Sequence, residues 1–408
     1  MKPKMLIVSA VYPYPRQSGQ QQRVFHTLKA LRDDFYLTFL TVSPGEKAEE
    51  VRAELLAYVD ESIVLPSRYS KNFFSRYYYR LLGSINSLVT GLKFSNYLIG
   101  KLELSYSRIS SAVDLDQFDM VLFEYWHTHK AAKKMKRHDV ITVLDMHDLL
   151  WQSYKRQIEK KKLLPDFIRK SMVNRYKKRE EQAWGDYDVL IAINQAEMDY
   201  TQELLGKQKK VLYAPMGIDL TNWSFSWQPE QSPRRIAYYG SLGGAHNQQD
   251  ALVCYHEIMP LIWRQFPEIE FWIVGSNPPN SIKKLSEESR VRVTGYVEDV
   301  QEILKGMSLV LCPWTGTFGF RSRVVEVMSL GIPVIASSDA IHGMGFDIDK
   351  GISVGESTDD LARLAANWLS QEELLRQQSK LARQQIEEKF SFSATYGKLS
   401  KELLRMVR

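Results

Sequence analysis

Short apolar runs rich in β-branched and aromatic residues alternate with amphipathic stretches along this chain, and the series starts twice. The first set falls at residues 5–10, 36–42, 120–123, 141–144, 189–193 and 211–213, and the second at 235–239, 270–274, 291–294, 308–312, 333–336 and 351–354. Between them lie stretches of helical period such as 21–31, 250–265, 297–305 and 358–369. Runs this short and uniformly apolar suit strands buried on both faces, and intervening helices supply the crossovers of parallel sheets. The polar, Pro-containing stretch 224–234 stands just before the restart and reads as a linker. The expected organisation is two Rossmann-like α/β domains, residues 1–223 and 224–390. The tail from 371 is helical with a break at 390–393, and its last helix, about 391–408, is expected to pack back on the first domain.

A chain of 408 residues suits two such cores better than one. Hydrophobic residues at 44% and charged residues at 25% exclude a disordered chain. No apolar run approaches the ~18 residues that a membrane span needs. Cys254 and Cys312 have no neighbour at metal-ligand spacing and read as reduced thiols, so a cytoplasmic location is expected. The net charge of +6 is unevenly spread: residues 155–179 hold eleven Lys/Arg against Glu159 and Asp166. Residues 71–82 interleave Phe73, Phe74, Tyr77, Tyr78 and Tyr79 with Lys71, Arg76 and Arg80. Both segments fit reversible docking on an anionic membrane, and equally a groove wall beside an ordinary basic surface. No nucleic-acid recognition motif accompanies them.

The second half carries the densest chemistry. Its first apolar run ends in Tyr239-Gly240-Ser241-Leu242-Gly243-Gly244-Ala245-His246-Asn247, a glycine-rich turn that opens a helix near Asn247. Such turns let backbone N–H groups approach a phosphate, although many are merely tight turns, and Asn247 reads equally well as a helix cap. Further on, Gly319, Arg321 and Arg323 precede a helix that carries Glu326. Two cations at a helix N-terminus can neutralise a diphosphate, and a carboxylate one turn later can accept from a ribose diol.

These residues, with Ile273-Val274-Gly275, Val293-Thr294-Gly295-Tyr296-Val297 and the Gly-x-Pro-Val that follows Glu326, resemble the donor site of retaining, GT-B-fold glycosyltransferases of family 4 (group 1). The resemblance implies two parallel sheets facing each other across a cleft, with Glu326 on the ribose and Arg323 on the diphosphate. It places Gly240, Ser241, Asn247, Gly319 and Arg321 among the donor contacts. The sequence fits a Gly-x-Arg-x-Lys/Arg branch, and departs from the family where a second glutamate often touches the donor sugar: that position is Phe318.

In the first half, Tyr12-Pro13-Tyr14-Pro15-Arg16-Gln17-Ser18-Gly19 resembles the family's Pro-rich loop, and Gly19 is expected to meet the donor. His147 and Asp148 follow the run 141–144, at the carboxyl end where ligands of parallel sheets sit. They are the first candidates for contacts to the acceptor and transferred sugar, with Arg323 as the catalytic cation; Glu124 is a weaker candidate, and Glu180 and Glu181 read as solvated. No Asp-x-Asp motif stands at a strand end, so neither a metal nor another cofactor is expected. The resemblance implies transfer from a nucleotide-sugar donor to a glycan or lipid-linked acceptor, with retention, in bacterial surface polysaccharide synthesis at the inner face of the cell membrane. The alternatives are a non-catalytic partner subunit and a nucleotide-sugar epimerase.

Overall fold

In the computed structural model the described residues are 2–16, 18–161, 163–317 and 319–407. They form two compact units, Met1–Pro215 with Tyr396–Arg408, and Met216–Thr395. In the first unit, β1 (Lys4–Val8), β2 (Tyr36–Ser43), β3 (Glu61–Pro66), β4 (Met120–Glu124), β5 (Ile141–Asp145), β6 (Val189–Ala192) and β7 (Lys210–Tyr213) form one sheet in the order β3-β2-β1-β4-β5-β6-β7. Every pairing in it is parallel. The second unit holds β8 (Arg235–Tyr239), β9 (Glu270–Val274), β10 (Val291–Gly295), β11 (Leu309–Cys312), β12 (Val334–Ser337) and β13 (Ile352–Gly355) in the order β10-β9-β8-β11-β12-β13, again all parallel. The two-domain α/β class and all twelve sequence-predicted strands are present.

β1 shows why its run is uninterrupted. Met5 and Ile7 point into one core layer and Leu6 and Val8 into the layer on the opposite face. Side chains alternate across a strand, so a sheet covered on both faces needs apolar residues at every position. β3 escaped the sequence reading because it is an edge strand of mixed burial, with only Ser62 and Val64 fully buried. The tail helix Lys398–Leu404 places Leu399 and Leu403 in the layer that holds Met5 and Ile7. Burial of each such side chain is worth about 1.5–3 kcal/mol, enough to hold a short terminal helix in place.

The boundary between units falls at 215/216 rather than at a 224–234 linker. That stretch is built into the second unit: Trp227 N–H donates to Leu330 O (3.0 Å), and its indole Nε1 to Met307 O (2.9 Å). Proline and polar residues marked a surface strap there, whose Trp227 packs against the core while Phe225 stays half exposed. The 250–265 stretch begins earlier than expected and is not one regular helix. Ala245–Val253 is α-helical, Cys254–Ile258 widens to a π-turn, and Met259–Trp263 resumes the α-helix. Pro260 has no amide to donate, which accounts for irregularity at that point.

Candidate functional site

The order of the second sheet reverses between β8 and β11, and loops leaving the carboxyl ends of such strands diverge to open a crevice. A cavity of about 180 Å³ lies beside it, over the ends of β8, β9 and β10, lined among others by Tyr239, Gly240, Ser241, Gly275, Tyr296 and Arg323. Gly275 is required by close approach, since a Cβ on it would fall 1.8 Å from the Gly240 carbonyl oxygen. Gly240 N–H in turn donates to Val274 O at 3.0 Å. Two strand ends are thereby drawn together with no side chain between them, leaving room for a ligand to approach backbone.

The helix Ser322–Ser329 brings charge to this cavity. Arg323 sits over the Tyr239 ring, 5.3 Å from its centroid, and the Tyr239 hydroxyl donates to Glu326 Oε2 at 3.1 Å. Burial, then the neighbouring Glu326 charge, push the Tyr239 pKa up, so the phenol stays protonated as a donor. Arg323 and Glu326 lie three apart on one helix face; Arg323 lines the cavity, and Glu326 reaches it through Tyr239.

Arg321 takes a different direction. It stands at the N-cap of the same helix, where its Nη2 donates to Gly316 O (3.1 Å) and its guanidinium lies 5.5 Å from the Trp314 ring centroid. Its charge bears on Asp250, whose carboxyl is pushed up to about 6 by burial against the pull of Arg321. Gly319 adopts φ +68°, which favours glycine, with nothing within 4 Å of a notional Cβ. Asn247 is not the helix cap: Gly244 holds that place, and Asn247, the third helical residue, donates from Nδ2 to Ser241 O at 2.7 Å. It fixes the peptide that joins Ser241 to Leu242. His246 is exposed on the same turn. Phe318, where the family's sugar-facing glutamate is missing, lies outside the described residues.

The carboxyl edge of the first sheet is built quite differently. His147 is buried with φ +59°, and its Nε2 is hydrogen-bonded to the Glu124 carboxylate at the end of β4. Tyr125, at φ +68°, stacks on the imidazole with ring centroids 4.3 Å apart. Two non-glycine residues in the left-handed region, on neighbouring strand ends and in mutual contact, mark a constrained edge of the kind that functional sites use. Below them Arg23 grips Asp145 with two hydrogen bonds, Nε at 2.8 Å and Nη2 at 3.3 Å, and donates from Nη1 to Ala214 O at 2.7 Å. Burial opposes the charge on Arg23, but Asp145 outweighs it and raises its pKa. Burial likewise opposes the charge on His147, and Glu124 more than restores it, so the imidazole stays cationic to higher pH than usual. Burial also pushes the Glu124 carboxyl up against the pull of His147, and wherever that pair holds its proton the cluster is neutral.

Glu124, Asp145 and His147 each bring one potential ligand atom to within 4.8 Å of the others. They do not suit a metal ion, because both Asp145 oxygens are taken by a guanidinium, which already supplies the positive charge.

Asp148 belongs to a second group. Its carboxyl contacts that of Glu197, and burial followed by the Asp148 charge holds Glu197 well above its ordinary 4.5. Asp148 itself is raised, chiefly by burial, with Arg156 opposing. Burial and a like-charged neighbour both favour the protonated form of a carboxyl group. Glu180, read as solvated from sequence, is fully buried: its oxygens accept from Leu150 N (2.9 Å) and Trp151 N (2.6 Å), capping the helix Leu150–Glu159. Helix N-terminal amides need acceptors, and here a remote carboxylate provides them. Glu181 is not solvated either; it is held by the Tyr200 hydroxyl and by Lys177 at 3.6 Å.

The structure thus groups Gly240, Ser241 and Arg323 at one cavity with Glu326 behind Tyr239, and groups His147 with Glu124. Gly19 opens the helix Gly19–Leu31 behind a Ser18–Gln21 capping box, with open space where its side chain would be. Sequence reasoning missed Arg23, Tyr239 and Glu197. Arg23 left one legible signal: it shares a helix face with Thr27, Ala30 and Leu31, all buried.

Residues 233–371, all in the second unit, match the family model described as Glycosyl transferases group 1. Among curated proteins, none matches the chain. Among solved structures, sucrose-phosphate synthase from Thermosynechococcus elongatus superposes with a TM-score of 0.64 at 16% identity, covering 100% of this chain and 99% of that one. Anabaena HepE in complex with UDP and glucose gives 0.59 at 13%, covering 99% of each chain. A variant of S. aureus TarM in complex with fondaparinux, α-GlcNAc-glycerol and UDP gives 0.61 at 11%, again covering 99% of each. The second unit therefore resembles a group 1 glycosyl transferase domain, and the whole chain shares the two-unit fold of these proteins.

Proposed function

We propose that this protein is a glycosyltransferase whose second unit holds a nucleotide-sugar donor. The observation that carries the reading is the 180 Å³ cavity, with Arg323 on its wall and the Tyr239–Glu326 hydrogen bond at its edge. In this reading Glu326 accepts from the ribose hydroxyls, and Arg323 stabilises the charge that develops on the departing diphosphate, in a setting where a preorganised cation is worth far more than in water. Gly240 and Ser241 present backbone to the same group, and Gly319 and Arg321 shape the loop that leads into the Arg323 helix. That HepE is solved with UDP and with UDP-glucose supports a nucleoside diphosphate at this place.

The first unit takes the acceptor side, with His147 and Asp148 as its polar contacts and the imidazolium held charged by Glu124. Transfer proceeds with retention by front-side displacement, the leaving phosphate accepting the acceptor's proton. No metal is needed, because protein cations neutralise the leaving group. The acceptor is a glycan or a lipid-linked sugar of a bacterial surface polysaccharide; TarM, solved with α-GlcNAc-glycerol, supports that class.

The test is a thermal-shift panel of nucleoside diphosphates and nucleotide sugars, followed by transfer assays with glycan and lipid-linked acceptors. One nucleotide is expected to raise Tm, and Glu326→Ala to abolish the shift. No stabilisation by any nucleotide would overturn the proposal.

A further inference from the structure

The helix Phe73–Thr90 wears its apolar face on the outside. Phe73, Phe74, Tyr77, Tyr78, Leu81, Ile85, Leu88 and Val89 are all exposed, Phe74 at 81% and Leu88 at 80%. At 3.6 residues per turn these positions fall within one arc of about 160°. The inward face, where Tyr79 and Leu82 are partly buried, is otherwise small and polar. Gly83 seats the helix against Phe94 and Tyr97, Asn86 accepts from Lys101 Nζ at 2.9 Å, and Ser87 and Thr90 bond back to the helix's own carbonyls. Globular helices place these faces the other way round, and contiguous apolar surface of this size on a soluble unit marks a partner.

The local charge narrows the partner's chemistry. Residues 62–102 contain six Lys/Arg and no Asp or Glu. Arg76 and Arg80 lie along one edge of the apolar arc and are themselves exposed. At its C-terminal end the helix reaches the basic helix Asp166–Trp184, where the Arg175 side chain lies against Gly91. The hairpin that this helix makes with Leu150–Glu159 exposes two further apolar side chains, Leu163 fully and Phe167, next to Asp166, at 73%. A protein partner for eight apolar side chains needs no such exclusion of acids; an anionic bilayer surface does, since every carboxylate near it is repelled.

We infer that the outward face of Phe73–Thr90, extended by Leu163 and Phe167, inserts into the interface of an anionic phospholipid membrane, with Arg76, Arg80 and the basic hairpin at headgroup level. No helix among the described residues is long and apolar enough to cross a membrane, so this contact is peripheral. It rests on no part of the donor-site reading.

Co-sedimentation of the full-length protein with phosphatidylcholine vesicles, with and without about 30% phosphatidylglycerol, tests this. Binding is expected only to the anionic vesicles. Phe74→Ser with Leu88→Ser should weaken it by about tenfold or more, and Arg76→Gln with Arg80→Gln should weaken it several-fold, less so at high salt. All four residues are exposed, so thermal melts of both variants should match the parent, and any nucleotide-induced Tm shift should persist. Failure to bind anionic vesicles, equal binding to neutral ones, or unaltered binding by the Phe74/Leu88 variant would each overturn the inference. So would a dimer that this variant dissolves into monomers without loss of vesicle binding, because the face would then belong to a second copy.

Discussion

The carboxyl edges of the two sheets answer the same topological opportunity in opposite ways. In the second unit the edge is left open: glycines line a cavity, and Arg323, Tyr239 and Glu326 stand around it half-buried. In the first unit the edge is filled with charge that is already paired, Arg23 with Asp145 and His147 with Glu124, all buried. Open polar groups around a vacancy suit capture of a charged ligand. A neutral buried network suits the holding of the strand-end residues, here His147 and Tyr125, in one strained arrangement. Substitutions at the first edge should therefore act mainly on stability, and substitutions at the second mainly on ligand binding.

The sharpest test of that contrast is Arg23→Met, which leaves Asp145 buried without its cation. Breaking a buried pair from one side costs about 3–5 kcal/mol, and urea unfolding of the variant should show a loss of that size, with nucleotide binding retained wherever the protein is still folded. Arg323→Ala should do the reverse. Its melting temperature should stay near that of the parent, while kcat for sugar transfer falls by roughly 10²–10³-fold, the usual cost of one preorganised charge-stabilising donor. Equal stability losses from both variants would erase the distinction.

A smaller effect is expected at Glu197. Its folded pKa lies above its unfolded value, so the folded state binds the extra proton and stability falls as pH rises from about the unfolded value through the folded one. Above that window the ionised pair costs stability, and Glu197→Gln removes the cost. The variant should be more stable than the parent by about 1–2 kcal/mol near pH 8, with the gain vanishing below about pH 4. Chemical denaturation at the two pH values checks this; a gain independent of pH would show that Glu197 titrates alike in the folded and unfolded states.

Sequence alone determined the periodic frame and singled out residues that the fold brings to the second unit's cavity. Uninterrupted apolar runs with helices between them specify parallel sheets through local periodicity, and Gly240, Arg323 and Glu326 lie beside strand ends and one helix start that such periodicity already locates. Tertiary structure alone decided what depends on contacts between distant positions. Arg23 meets Asp145 across 122 residues, and Glu180 caps a helix that begins thirty residues earlier. The 73–90 helix has a period that marks an apolar face but carries no sign of which way that face turns. Burial of a charge and the orientation of a helix are settled by whatever packs against them, and only the folded chain supplies that neighbour.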